Sequence, residues 1–255
     1  MFRLLAVVAI STTLMSAAVP ARPATPQTLT VFAAASLHNA FADIGAAFEA
    51  AHPGASVKLN FDGSQILETQ IANGAPADVF ASADERSMDK ARTAGLVDTP
   101  VDFARNSLVM ISQFDLNIRS LRDLTRDGRK LAICAEAVPC GRYTRVALQK
   151  MSADPKFWPN YGDQVLRNVA TQEQNVEGVV QKVVVGDADA GFVYATDAIL
   201  KGGVKLVSVP VPDEDQEIAT YPIAAVQGSS NAALAQSFVA FVLSPDGQNV
   251  LHARG

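Results

Sequence analysis

The chain has 255 residues, with 21 Lys and Arg against 26 Asp and Glu, a formal charge of −5, 49% hydrophobic residues and 18% charged ones. This is ordinary globular composition, with enough apolar material for one large domain or two lobes. The mild acidity and the lack of a basic patch interleaved with aromatics exclude a nucleic-acid partner, so an anionic ligand has to be held by local donors and not by bulk charge.

The N-terminus reads first as an export signal. Met1-Phe2-Arg3 and the apolar run of residues 4–10, continued by Leu14-Met15, have the n-region and h-region of a secretory leader. Small residues follow at Ser16, Ala17, Ala18, Ala21 and Ala24, so residues 1–24 are expected to be a cleaved signal peptide. The run is short for a membrane span of roughly 20 residues. No cysteine lies near the cleavage region to carry a lipid, and the mature chain is expected in the periplasm.

Beyond a leader rich in Pro, Ala and Thr at residues 20–27, strands and helices alternate. A buried strand at 29–35 ends at Ser36, after which Leu37, Ala40, Phe41, Ile44, Ala47 and Phe48 recur at helical intervals to about residue 52. A strand at 55–61 leads to a helix at 64–73. A short strand at 78–81 leads to a helix at 84–94 that Gly95 closes. The pattern restarts with a strand at 106–112, a helix at 120–125, a strand at 130–134 and a helix at 141–152. A turn-rich stretch holding Pro155, Pro159 and Gly162 precedes a strand at 165–170. Then come a helix at 176–185, a strand at 191–194, a helix at 196–201 and a strand at 205–210. An acidic connection at 213–217 leads to a strand at 221–226, a helix at 231–243 and a tail at 245–255.

This alternation predicts an α/β protein of mainly parallel sheets flanked by helices. Two βαβ sets without a Pro/Gly/Ser linker predict two lobes joined by crossing strands. Lobe I takes residues 27–108 and 219–255, lobe II residues 109–218, and the ligand is expected in the cleft between them.

One chemical device recurs at the expected cleft edge. Ser36 stands where a strand becomes a helix, and a helix N-terminus offers unpaired N–H groups, partial positive charge and, at a serine cap, a hydroxyl. Such an end holds an anion without lysine or arginine. Phe61-Asp62-Gly63-Ser64 repeats the arrangement, with Ser64 as a second cap. Val138-Pro139-Cys140-Gly141 opens a helix of the second half, and Gln172-Glu173-Gln174-Asn175-Val176 opens another with Asn175 at the capping position. Tyr194 ends a strand with a hydroxyl to donate. Singly, each of these is more often structural than functional.

Together, Val31-Phe32-Ala33-Ala34-Ala35-Ser36-Leu37, Gly74-Ala75-Pro76-Ala77-Asp78 with Ser82-Ala83-Asp84, Asn106-Ser107-Leu108-Val109, Val138-Pro139-Cys140-Gly141 with Tyr143, and Val193-Tyr194 with Asp197-Ala198 resemble the periplasmic molybdate-binding proteins of ABC transporters. The resemblance runs from about residue 29 to the C-terminus. It implies a type II two-lobed periplasmic binding protein, not an enzyme, that carries molybdate, and tungstate, to a membrane permease. It also implies a monomer without a cofactor or a bare metal ion. Carried onto this chain, the oxyanion would be held by Ser36 and Ser64 through hydroxyl and amide, by the amides of Cys140 and Val176, and by the hydroxyl of Tyr194. Neutral donors suit a fully ionised oxyanion, which only accepts hydrogen bonds.

Three residues depart from the family pattern. Asp62 stands where a small neutral residue is usual and would repel a dianion, unless it points to solvent or caps a neighbouring amide. Cys140 replaces a frequent alanine, harmlessly if only its amide binds. Arg142 either adds field strength or is a solvated surface residue. Cys134 and Cys140 are six positions apart. In an exported chain a disulfide is the first reading, ahead of free thiols and, with no histidine nearby, a metal pair.

Rival readings fare worse. Ser87-Met88-Asp89-Lys90 matches S-x-x-K, but neither S-D-N nor K-T-G follows. His38, His52 and His252 have no ligand spacing. An iron carrier of the same architecture uses clustered tyrosines, whereas Tyr143, Tyr161, Tyr194 and Tyr221 are scattered. Sulfate or a small organic solute remains the alternative ligand.

Overall fold

The computed structural model describes residues 27–199 and 206–255. The expected signal peptide lies outside the described residues, as do residues 200–205, which held the end of one expected helix and the start of one strand. Ten strands form two sheets. The first contains β1 (Gln27–Ala34), β2 (Ala55–Asp62), β3 (Val79–Ala81), β4 (Val101–Asn106) and β10 (Ala219–Ala225), in the order β2-β1-β3-β10-β4. The second contains β5 (Leu108–Gln113), β6 (Leu131–Cys134), β7 (Val169–Glu173), β8 (Ala190–Tyr194) and β9 (Leu206–Pro210), in the order β7-β6-β8-β5-β9. Around them lie α1 (His38–Ala51), α2 (Ser64–Ala72), α3 (Glu85–Thr93), α4 (Pro139–Ala153), α5 (Tyr161–Arg167), α6 (Val176–Val185), α7 (Ala232–Leu243) and α8 (Pro245–Ala253).

The two sheets share one plan, and it is mixed where mainly parallel sheets were expected. β2-β1-β3 and β7-β6-β8 are parallel triplets. Each triplet is extended by two antiparallel pairings, through β10 and β4 in one sheet and β5 and β9 in the other. The cause is the crossover. The chain enters the second sheet by running from β4 through Ser107 into β5, and returns through residues 211–218 into β10, so each sheet receives a strand coming from the other. Gln216 ties the two crossings together. Its Nε2 donates to Leu108 O at 2.7 Å, and its Oε1 accepts from Leu108 N–H at 3.0 Å.

The elements with strong periodicity form as read. β1 is buried at Leu29 and from Val31 to its end, where it runs between two parallel neighbours, and the apolar face of α1 packs Phe41, Ile44 and Phe48 into the core. α6 starts where its cap predicts, the Asn175 side chain accepting from Gly178 N–H at 3.0 Å.

Four expectations need correction. Residues 165–167 belong to α5 and not to a strand: Tyr161 and Val165, four apart, are both fully buried, so the period is helical, and β7 begins only at Val169. β4, at an edge of the first sheet and with only Phe103 buried, precedes the strand expected at 106–112, which divides at Ser107 into the end of β4 and β5. β4 pairs with β10 across a register shift at Tyr221 and Pro222, where the missing proline N–H would otherwise break the ladder. Residues 195–198 form a turn in place of a helix start. The tail is helix α8, capped by Ser244 with Pro245 in its first turn. Gly247 allows close packing on the end of α7: a Cβ would fall 2.2 Å from Phe241 O.

Candidate anion site at the strand ends

All six parallel strands point their carboxyl ends at one place. The segments that follow them line a cavity of about 10 Å³: Ala34, Ala35 and Ser36 after β1, Asp62, Gly63 and Ser64 after β2, and Ala83 after β3. From the second sheet come Val138, Pro139 and Cys140 after β6, Asn175 and Val176 after β7, and Tyr194 ending β8. This is the crevice that open α/β sheets leave for ligands. Ser36, Ser64, Cys140, Val176 and Tyr194, the five residues named from sequence, all line it.

Their local roles differ in part from those expected. Ser36 does not cap a helix. It sits inside a 3₁₀ turn, Ala35–Leu37, that runs straight into α1, so its side chain is turned off the helix axis. Its Oγ lies 3.0 Å from the hydroxyl of Tyr221 on β10. Ser64 is not the cap of α2 either, since Gly63 holds that position. The Ser64 Oγ accepts from Ala83 N–H at 2.9 Å, which leaves its own proton to donate. Tyr194 is 1% exposed, and its hydroxyl has no hydrogen-bond partner among the described residues, although it lines the cavity. Burial, followed by the neighbouring Tyr221, Tyr143 and Asp197, holds its pKa well above the ordinary tyrosine value. It remains a donor.

Backbone donors surround the same point. Cys140 lies in the first turn of α4 behind Pro139, and Val176 opens α6 behind Asn175, so their N–H groups have no intrahelical partner. With α2, three helices of at least nine residues present their positive ends here. Cys134 and Cys140 are joined as a disulfide, with Cα atoms 5.8 Å apart, tying the end of β6 to the first turn of α4. Gly141 beside it is forced: a Cβ would fall 2.0 Å from Ala135 O and 2.6 Å from Cys134 O.

The charged residues are turned away from the cavity or paired. Asp62 Oδ1 accepts from Gly63 N–H at 2.8 Å and from Asn175 Nδ2 at 3.0 Å, the neighbouring-amide role weighed against repulsion. Arg142 is neither solvated nor directed at the cavity; it forms an ion pair with the buried Asp84. No lysine or arginine is among the residues lining the cavity. A larger cavity of about 920 Å³ also has Ser36 in its lining, together with Asp43, Glu177, Arg105 and Arg254, a wall of both signs.

Sequence reasoning missed Tyr221, Ala83 and the Asp84–Arg142 pair. Tyr221 had been dismissed as one scattered tyrosine, and only the topology that seats β10 beside β3 brings it to Ser36.

Comparison with known proteins places this geometry among related ones. Residues 29–255 match the model of the bacterial extracellular solute-binding protein family. The molybdate-binding protein ModA of Mycobacterium bovis is 39% identical over 232 residues, covering 90% of this chain and 84% of the relative. The ModA of Escherichia coli K12 is 35% identical over 241 residues, covering 89% of this chain and 88% of the relative. The periplasmic molybdate-binding protein of Azotobacter vinelandii superposes with a TM-score of 0.76 at 23% identity, covering 89% of this chain and 97% of that one.

Proposed function

The chain belongs to the bacterial extracellular solute-binding proteins and, within them, to the ModA family of molybdate-binding proteins, and from that premise we propose how it captures its anion. It is the molybdate-binding component of an ABC transporter. The single observation that carries the mechanism is the convergence of three hydroxyls and three helix N-termini on one cavity that no cationic side chain lines.

Ser36, Ser64 and Tyr194 donate through their hydroxyls, and Cys140 and Val176 through their amides, to the oxygens of the tetrahedral dianion. Each hydrogen bond to a charged acceptor contributes about 1.5–3 kcal/mol, so five of them offset much of the dehydration of molybdate. Donors fixed by Tyr221, Ala83 and the helix frames need little reorganisation when the anion arrives. A site of donors favours anions that only accept, which fits molybdate, tungstate and sulfate better than hydrogen phosphate.

The cavity has room for about one water, so the oxyanion enters as the lobes part and is held as they close. We take lobe I as residues 27–108 and 219–255 and lobe II as 109–218, with the crossings at Ser107 and Gln216 as the hinge. Ser36, Ser64 and Tyr194 come from both lobes, so the ligand binds the closed form best and shifts the population toward it. The protein acts as a monomeric carrier without catalysis, exported to the periplasm by its leader, and hands the anion to the membrane permease. Ser36→Ala tests the donor shell: a rise in the molybdate Kd of at least tenfold with the fold intact supports it, and an unchanged Kd removes Ser36 from the site.

A further inference from the structure

The two lobes meet along a seam that starts at the cavity wall, with Asp62, Gly63 and Asn175, and runs outward through Gln65, Gln174, Asp84 and Arg142, which do not line the cavity. At that wall Gly63 faces the backbone of the other lobe: a Cβ there would fall 2.4 Å from Gln174 O. Gly63 has φ −60° and ψ 137°, values open to any residue. Glycine is therefore needed at this point for the approach of lobe II and not for the backbone of lobe I. On one side Gln65 Nε2 donates to Gln174 O at 2.9 Å, and on the other Asn175 Nδ2 donates to Asp62 Oδ1 at 3.0 Å.

The ion pair between Arg142 and Asp84 closes the seam, and each partner is set in place by its own lobe. Asp84 caps α3, its Oδ1 accepting from Ser87 N–H at 3.1 Å and from Ser82 Oγ at 3.2 Å, which turns its other oxygen outward. Arg142 stands on the first turn of α4 and donates from Nη1 to Ala137 O at 2.9 Å, which aims the rest of the guanidinium across the cleft. The Asp84 side chain is 2% exposed and that of Arg142 19%. Neither residue lines the cavity.

We propose that Arg142 and Asp84 form the latch of the closed state and set the affinity and residence time of the trapped anion as positioning residues outside the cavity. The proposal rests on the oxyanion-carrier reading above. An apparent dissociation constant scales inversely with the fraction of molecules able to close, so any loss of the latch appears as weaker binding and faster release. Removing the guanidinium also leaves a buried carboxylate without its partner each time the lobes meet. The penalty falls on closure alone, because in the open form water solvates Asp84.

The test combines binding with a readout that needs no ligand. In Arg142→Gln, molybdate dissociates at least tenfold faster and the Kd rises at least tenfold, the association rate and the ligand-free melting temperature stay as in the parent, and Arg142→Lys restores part of the loss. In a Gln65→Cys/Gln174→Cys variant, where Cys134 and Cys140 stay joined to each other, a short bismaleimide traps the closed form without ligand. Adding Arg142→Gln slows that trapping at least threefold. Equal trapping rates together with parental dissociation rates overturn the latch. If the parent protein binds no oxyanion, the carrier reading falls, while the trapping rates still decide the latch.

Discussion

The hydroxyl of Tyr221 lies 3.0 Å from Ser36 Oγ across 185 positions of sequence, and it links the strand that returns from lobe II to the first donor of the anion site. Either hydroxyl can donate to the other; when Tyr221 donates, the proton of Ser36 is left for the cavity. Burial raises the Tyr221 pKa and keeps its hydroxyl protonated. Tyr221→Phe removes a group that never meets the ligand, yet it frees Ser36 to turn away. The expected cost is about 1 kcal/mol, a rise of roughly fivefold in the molybdate Kd. Titration of the variant checks this, and parental affinity would show that Ser36 needs no orientation.

Tyr194→Phe moves stability and affinity in opposite directions. A buried hydroxyl without a partner costs about 1–3 kcal/mol, so its removal leaves the ligand-free protein as stable as the parent or more so. The same change deletes a donor to the dianion and lowers affinity by roughly tenfold or more. Thermal melts without ligand and a binding titration measure the two effects. A variant that melts lower and binds as the parent does would place the hydroxyl in the core and not in the site.

Binding is expected to be flat with pH from 7 to 9. The donors are amides, serine hydroxyls and a tyrosine whose pKa burial raises, so none of them titrates in that range. Stability behaves differently in alkali. Burial pushes the Tyr143 pKa up to about 12, against about 10 in an unfolded chain. The folded state then holds its proton longer than the unfolded one, and this contribution, fully present below pH about 10, is lost as pH rises to about 12. Melting temperatures measured from pH 7 to 12 should hold and then fall above pH about 10. A Kd that changes between pH 7 and 9 would reveal a titrating group in the shell.

The disulfide is expected to matter more for the fold than for the ligand. Closing so short a loop stabilises by about 2 kcal/mol in the chain-entropy model. Arg145 braces the same loop independently, donating from Nη1 to Cys134 O at 3.1 Å and to Gly141 O at 2.9 Å. Cys134→Ser/Cys140→Ser should therefore unfold at lower denaturant with only a small change in Kd. A large loss of affinity at unchanged stability would make the bridge part of the binding apparatus.

What sequence could reveal followed from distance along the chain. The Asn175 cap, the helix it opens and the buried β1 are local patterns, and they were legible because capping and apolar spacing act within one turn or one strand. Ser36 and Ser64 were found through such patterns, although neither proved to be a cap, because the strand-to-helix transition matters more to the cleft than which residue caps it. β4 and α8 were missed: one is a half-exposed edge strand, and the other opens with Pro245-Asp246-Gly247, a turn-like run whose glycine packs on the end of α7. Tyr221 and the Asp84–Arg142 pair carry no local signature: the first contact exists only once β10 has joined the first sheet, and the second only once the two lobes meet.

The central claim is that a shell of neutral donors traps a fully ionised tetrahedral oxyanion. Calorimetric titration of the mature protein with molybdate, tungstate, sulfate and phosphate in parallel tests it most directly. The account predicts tight, one-to-one binding of molybdate and tungstate, weaker binding of sulfate and least response to phosphate, which carries a proton at neutral pH. Silence from all four, or a preference for phosphate, would contradict it.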